Sequence, residues 1–184
     1  MPAVIVVVYG NRAYDDALIE LKEVVLGAEF KPIGAGVFIG EHSYSTNITP
    51  IAVGRPDVND IKSANLFGGM VREKISNSKT YAELVQPQIP GNSPYKEIKM
   101  LSGISPNTIE SLCTRCNKCI SVCPVSAING KDPTIIDKSL CIRCCACVKI
   151  CEFNAKIMDE PRIKQVAGQL SASCSLRKEP EIYL

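Results

Sequence analysis

The first two-fifths of the chain alternates an unbroken apolar run with apolar stripes of helical period. Ala3, Val4, Ile5, Val6, Val7 and Val8 form a largely β-branched run, the pattern of a strand buried on both faces of a parallel sheet. Tyr9-Gly10-Asn11-Arg12 reads as the turn at its carboxyl end. Leu18, Leu21, Val24 and Val25 then share one face of a helix from about Tyr14 to Leu26, with Gly27 as its stop. Lys31 to Gly40 reads as a second strand and Asp57 to Ile75 as a second helix, with Ile61, Ala64, Leu66, Met70 and Val71 among its apolar positions. The order β-α-β-α is the grammar of a doubly wound sheet.

Beyond residue 78 that rhythm stops. Gln86-Pro87-Gln88-Ile89-Pro90-Gly91-Asn92-Ser93-Pro94 is rich in proline and aperiodic, which predicts a partly extended interdomain linker over residues 79–104. The residues after Pro161 are polar with a modest helical stretch, and no role is assigned to this tail of residues 161–184. Residues 1–78 and 105–160 are thereby expected to be separate domains.

Cysteine usage divides the chain in the same place, for all ten cysteines lie at or after residue 113. Cys113, Cys116, Cys119 and Cys123, followed by Pro124, repeat the C-x2-C-x2-C-x3-C spacing of Cys141, Cys144, Cys147 and Cys151. Three thiolates set three apart wrap one turn of backbone around a cubane cluster, each reaching a different iron. The fourth cysteine of each run is expected just beyond that loop, at the start of a helical turn leading away. It therefore ligates the other cluster, the arrangement of two-cluster bacterial runs. Two 4Fe-4S centres are expected: Cys113, Cys116, Cys119 and Cys151 hold one, and Cys141, Cys144, Cys147 and Cys123 hold the other.

Other uses of these cysteines account for less. A zinc ribbon needs four ligands, usually two separated C-x2-C knuckles, which leaves the third and fourth cysteine of each run without a job. A disulfide framework needs an oxidising compartment. The Ala3–Val8 run has no positive n-region, is too short for a signal or a membrane span, and meets no cleavage-like site. A cytoplasmic protein with reduced thiols is expected. Free structural cysteines do not explain eight at duplicated spacing. The net charge is +2 and no basic tract occurs, so nothing suggests nucleic acid.

Residues 105–160 resemble a bacterial-type dicluster ferredoxin, through a motif that is highly specific. The resemblance implies a pseudo-twofold α+β sandwich of two short hairpins and two short helices, with Lys131 to Asp137 and Lys156-Ile157-Met158 forming the hairpins after each cluster loop. So small a unit has little core of its own, and clusters serve as that core. Ile120, Val122, Val125, Ile128, Ile142, Val148 and Ile150 alternate with the ligands, which predicts an apolar shell. Arg115, Lys118, Arg143 and Lys149 read first as solvated surface charge. With a cysteine on every iron no site is left open for substrate, which points to electron transfer to and from redox partner proteins. Cys151 is followed by Glu152 in place of proline, so the exit turn is less rigidly set. Cys145 is expected to be a small buried residue, with ligation in place of Cys144 or Cys147 as the alternative. Cys174 is expected to be an exposed thiol.

The N-terminal residues carry a second resemblance. Val7 to Ala17 and the helix after them look like the fourth strand, loop and helix of the flavodoxin-like domain fused to dicluster ferredoxins. The family pattern implies Gly10, Asn11 and Tyr14 as FMN-contacting candidates, and His42 also resembles the fused family. The residues' own reading is an ordinary turn and a locally packed helix start. A flavodoxin's phosphate-binding loop is missing, so tight FMN binding by this chain alone is not expected. The first strand has only one neighbour, so the expectation is an N-terminally shortened member of that fused family or one whose open edge another chain covers as a partner. The fold class is a partial flavodoxin-like α/β unit followed by an α+β ferredoxin-like domain. An electron carrier is the leading function, with an FMN-dependent oxidoreductase component and a cluster-stabilised interaction module as alternatives.

Overall fold

A computed structural model describes residues 1–97 and 102–184. Along the chain run β1 (Pro2–Tyr9), α1 (Ala17–Gly27), β2 (Lys31–Ile39), α2 (Val58–Asn77), β3 (Asn107–Thr108), α3 (Lys118–Ser121), α4 (Ala146–Lys149), β4 (Lys156–Ile157), α5 (Pro161–Ser173) and β5 (Glu181–Tyr183). They fall into two units: Met1–Ser45, Pro50–Ile98 and Cys174–Leu184 make the first, and Thr46–Thr49 with Lys99–Ser173 the second. Residues 98–101 of the expected linker lie outside the described residues.

The first unit is built on a sheet of order β1-β2-β5, with β1 parallel and β5 antiparallel to β2. The strand buried on both faces is β2 and not β1. The reason is position: β2 is central, whereas β1 is an edge strand with Val4, Val6 and Val8 45, 45 and 64% exposed. Ile5, Ala35 and Val37 meet Leu18 of α1, and Ile33 and Phe38 meet Phe67 and Val71 of α2 on another side of the core. Close approach of α2 depends on glycine in β2. A Cβ on Gly36 would stand 2.7 Å from Phe38 Cε2 and 3.1 Å from Phe67 Cε1.

Helix α2 begins with a reciprocal capping box between Asp57 and Asp60. Its inner face is Asp60, Ala64, Phe67 and Val71, while Ile61, Leu66 and Met70 are exposed. Gly27 does not end α1 by its own backbone freedom. The left-handed residue of the reversal is Glu29, at φ 62°, with Phe30 N–H donating to the Val25 carbonyl at 2.9 Å.

Two segments read from sequence as unattached belong to this unit. Leu84 enters the α2 side of the core and Ile89 the α1 side. The Asp16 carboxylate accepts from Asn92 N at 2.9 Å and Lys96 N at 2.8 Å. Residues 79–97 are thus an ordered strap, because a buried leucine and a multiply bonded carboxylate hold them. The tail supplies β5, pairing Gly36 with Ile182. A segment of three strand residues is too short for periodicity to reveal.

The second unit is a doubled loop and helix. Helices α3 and α4 each cover one turn, and Ile128 bridges Ile136 in an antiparallel hairpin closed by Asp137 N to the Ala127 carbonyl at 2.7 Å. The second run has no hairpin of its own. Its Lys156-Ile157 strand pairs with Asn107-Thr108 ahead of the first run, so the sheet joins the two ends of the cysteine region. The core is Cys119, Ile128 and Cys147, with Ile120, Cys123, Ile136 and Val148 against it. No helix among the described residues is long and apolar enough to cross a membrane.

Candidate metal centre

The second cysteine run repeats the first at an offset of 28 positions, Cys141 against Cys113, and the backbone repeats with it. Positive φ falls at Arg115 and Arg143, at Asn117 and Cys145, and at Ser126 and Asn154. Left-handed residues between right-handed ones turn successive N–H groups to one side, the way peptide loops form anion-binding concavities. Asn117 and Cys145 stand at the N-caps of α3 and α4. Each short helix carries the third cysteine of its run, Cys119 or Cys147, and the fourth lies beyond the helix end. The helical turn therefore comes between third and fourth cysteine, and it separates them in direction.

That separation divides the eight thiols between two cavities. Cys113, Cys116, Cys119 and Cys151 line one, together with Phe153 and Lys156. Cys123, Cys141, Cys144 and Cys147 line a second, with Cys145, Val125, Ile128, Ile136 and Ile142 around them. Among the described residues no three His, Cys, Asp or Glu side chains converge closely enough to hold a single metal ion. The eight thiols of the two runs are instead spread around two open spaces, four to each, with Cys145 as a fifth at the second. Four soft sulfur donors around such a space fit a multi-iron cluster that takes one thiolate per iron.

Burial opposes charge on these sulfurs. It pushes the Cys147 thiol up to about 11 and raises Cys119, in each case against the opposing pull of Lys156. Cys151 differs: burial raises it, but the backbone N–H groups of Lys156, Ala155 and Phe153 prevail and hold it below the usual thiol range. Cys123 Sγ accepts from Ala127 N at 3.3 Å. A bound cluster would supply the remaining compensation when thiolates form, which would couple metal binding to folding.

The expected apolar shell is partial. Ile128 is buried, Ile120, Val122, Val125 and Val148 are half-buried, and Ile150, at the end of α4, and Ile142, at the second cavity, are exposed. Arg115 and Lys118 are surface cations paired with Asp132 and Glu152. Cys145 is buried and lines the second cavity, with its Sγ 3.6 Å from the Arg143 carbonyl. Burial pushes its thiol up to about 12. Cys174 is half-buried, contrary to an exposed thiol, since its segment docks on Asn11.

In the first unit, the candidates Gly10, Asn11 and Tyr14 meet other parts of the chain. Gly10 faces His42. Asn11 Nδ2 donates to the carbonyls of Cys174 and Leu176 at 2.7 and 2.8 Å, and its Oδ1 accepts from Lys178 N. Tyr14 Oη lies 2.9 Å from Glu181 and 3.2 Å from Tyr183 Oη.

Sequence reading passed over Lys156, the buried cation of the first cavity. A signal was present. Cys123-Pro124-Val125-Ser126-Ala127-Ile128 and Cys151-Glu152-Phe153-Asn154-Ala155-Lys156 align at the 28-residue offset, and only the second ends in a charge.

Residues 106–129 and 134–157 each match the 4Fe-4S binding domain family. No curated protein and no solved structure matches the chain. The two matches with their cysteines make this part of the chain an iron-sulfur, ferredoxin-like domain for electron transfer.

Proposed function

We propose that the chain is a dicluster electron carrier, or the electron-transfer subunit of a larger assembly, in which Cys113, Cys116, Cys119 and Cys151 hold one 4Fe-4S cluster and Cys141, Cys144, Cys147 and Cys123 the other. The observation that supports this most is the division of the eight thiols between two cavities, each lined by three cysteines of one run and the last of the other. A bound 4Fe-4S cluster supplies a one-electron redox couple. The protein's own part is to hold the thiolates, to present N–H groups to sulfur, as Ala127 does to Cys123, and to keep the inner sulfurs Cys119 and Cys147 from water.

The first unit is read as the partial flavodoxin-like domain, with the second as the ferredoxin-type domain. Asn11 and Tyr14 engage the C-terminal segment through their polar atoms, which favours the carrier over an FMN-dependent component. Redox proteins are the partners this reading implies, with a further strand from another chain at the exposed edge of β1, in the cytoplasm. A flavin assay on anaerobically purified protein separates the two functions: a carrier contains clusters without flavin, and stoichiometric FMN would replace it with the flavin reading.

A further inference from the structure

Lys156, in β4, has only 2% of its surface exposed. Its side chain lines the cavity of Cys113, Cys116, Cys119 and Cys151. Nζ donates to Thr108 Oγ1 at 2.7 Å and to the Pro133 carbonyl. Both acceptors are neutral, and among the described residues no carboxylate pairs with it. A cation taken out of water without an anionic partner is costly.

Packing alone does not explain the lysine. Ile128, its counterpart 28 positions earlier (156 − 128), is apolar, buried, and packs against Cys119 and Cys147. The fold therefore accepts an aliphatic side chain at this point of the repeat. The nearby groups that can become anions are the sulfurs. Lys156 lines the cavity of Cys113, Cys116, Cys119 and Cys151 and is absent from the lining of the other.

We infer that Lys156 is a buried counter-ion to the thiolate-held clusters and raises their reduction potential, most strongly for the cluster of Cys113, Cys116, Cys119 and Cys151. The inference rests on the two-cluster reading above. Reduction brings one electron from the donor protein and adds one negative charge within a set of four thiolates, with no bond made or broken in the chain. A cation already fixed by Thr108 and Pro133 favours the added charge without rearranging, and burial leaves it poorly screened. Lys118 also lines this cavity, but it is exposed and its charge is already paired with Glu152 at 2.6 Å.

The test is an EPR-monitored potentiometric titration of the full chain carrying Lys156→Met. Iron and labile sulfide should stay at the unsubstituted level while the midpoint of at least one cluster falls by roughly tenfold in the one-electron equilibrium, about 59 mV. Lys156→Arg should restore most of that shift, and Lys118→Gln should produce little. Full iron content with unchanged midpoints in Lys156→Met would overturn the inference. If the methionine variant loses iron, Lys156→Gln, which keeps a donor for Thr108 without the charge, is titrated by the same criterion. Failure of the underlying reading is seen separately, as absence of labile sulfide in the unsubstituted protein.

Discussion

Cys119 and Cys123 stand four residues apart, yet they line different cavities. One turn of α3 lies between them, and Cys147 and Cys151 repeat the relationship around α4 in the opposite sense. Cross-ligation then has a combinatorial signature. Cys123→Ser and Cys144→Ser should damage the same cluster, so the double variant keeps about four irons per chain, as each single variant does. Cys123→Ser with Cys116→Ser should lose both clusters. Iron and sulfide analysis of the two double variants checks this, and the reverse pattern would assign Cys123 to its own run.

Cys145 occupies the left-handed N-cap of α4 at φ 56°, where its counterpart is Asn117 at φ 62°. A side chain other than Asn or Gly costs about 1–2 kcal/mol in that conformation. Cys145→Gly should therefore retain full iron content with a change in thermal stability under about 1 kcal/mol, relief of strain offsetting lost burial and added chain entropy. Loss of a cluster in this variant would make Cys145 a ligand.

The first unit is sensitive at β2. A methyl group on Gly36 would meet the rings of Phe38 and Phe67, and overpacking of this kind costs about 1–3 kcal/mol. Gly36→Ala should lower the urea midpoint followed by far-UV circular dichroism while leaving the iron content unchanged.

Arg55 and Asp60 form a buried ion pair at the start of α2. The Arg55 guanidinium holds the Asp60 carboxyl below the usual range, and Arg177 with backbone N–H groups does the same for Asp57. Carboxyls lowered by folding add stability that is present above about pH 4 and is lost as pH falls through the folded values. Acid unfolding of this unit should begin only below that point. Arg55→Met should cost up to about 3–5 kcal/mol at neutral pH, because Asp60 then keeps only the Asp57 N–H at 2.7 Å and the more distant Arg177 at 3.7 Å. That cost should shrink on acidification, because a protonated Asp60 no longer needs the guanidinium. Denaturant titrations at two pH values measure the difference.

Local pattern made much of this legible. The limits of β2 and α2 follow from an apolar run and from the Asp57 cap, and the cysteine spacing marks the metal region directly. What escaped depends on partners distant in sequence. Whether Val4, Val6 and Val8 are covered is decided by which strand is central, and β5 exists because Glu181–Tyr183 finds the free edge of β2. Ile61 and Met70 are as apolar as Phe67, but only the register of α2 on Gly34 and Gly36 selects the inner face. Lys156 was hidden because a lysine in a short strand normally reads as surface.

Chemical analysis of anaerobically purified full-length chain, with EPR of the reduced form, tests the central claim. Two cross-ligated 4Fe-4S clusters predict about eight irons and eight labile sulfides per chain, no zinc, and a spectrum broadened by two nearby spins. Zinc without labile sulfide, or about four irons with a single isolated spin signal, would contradict it.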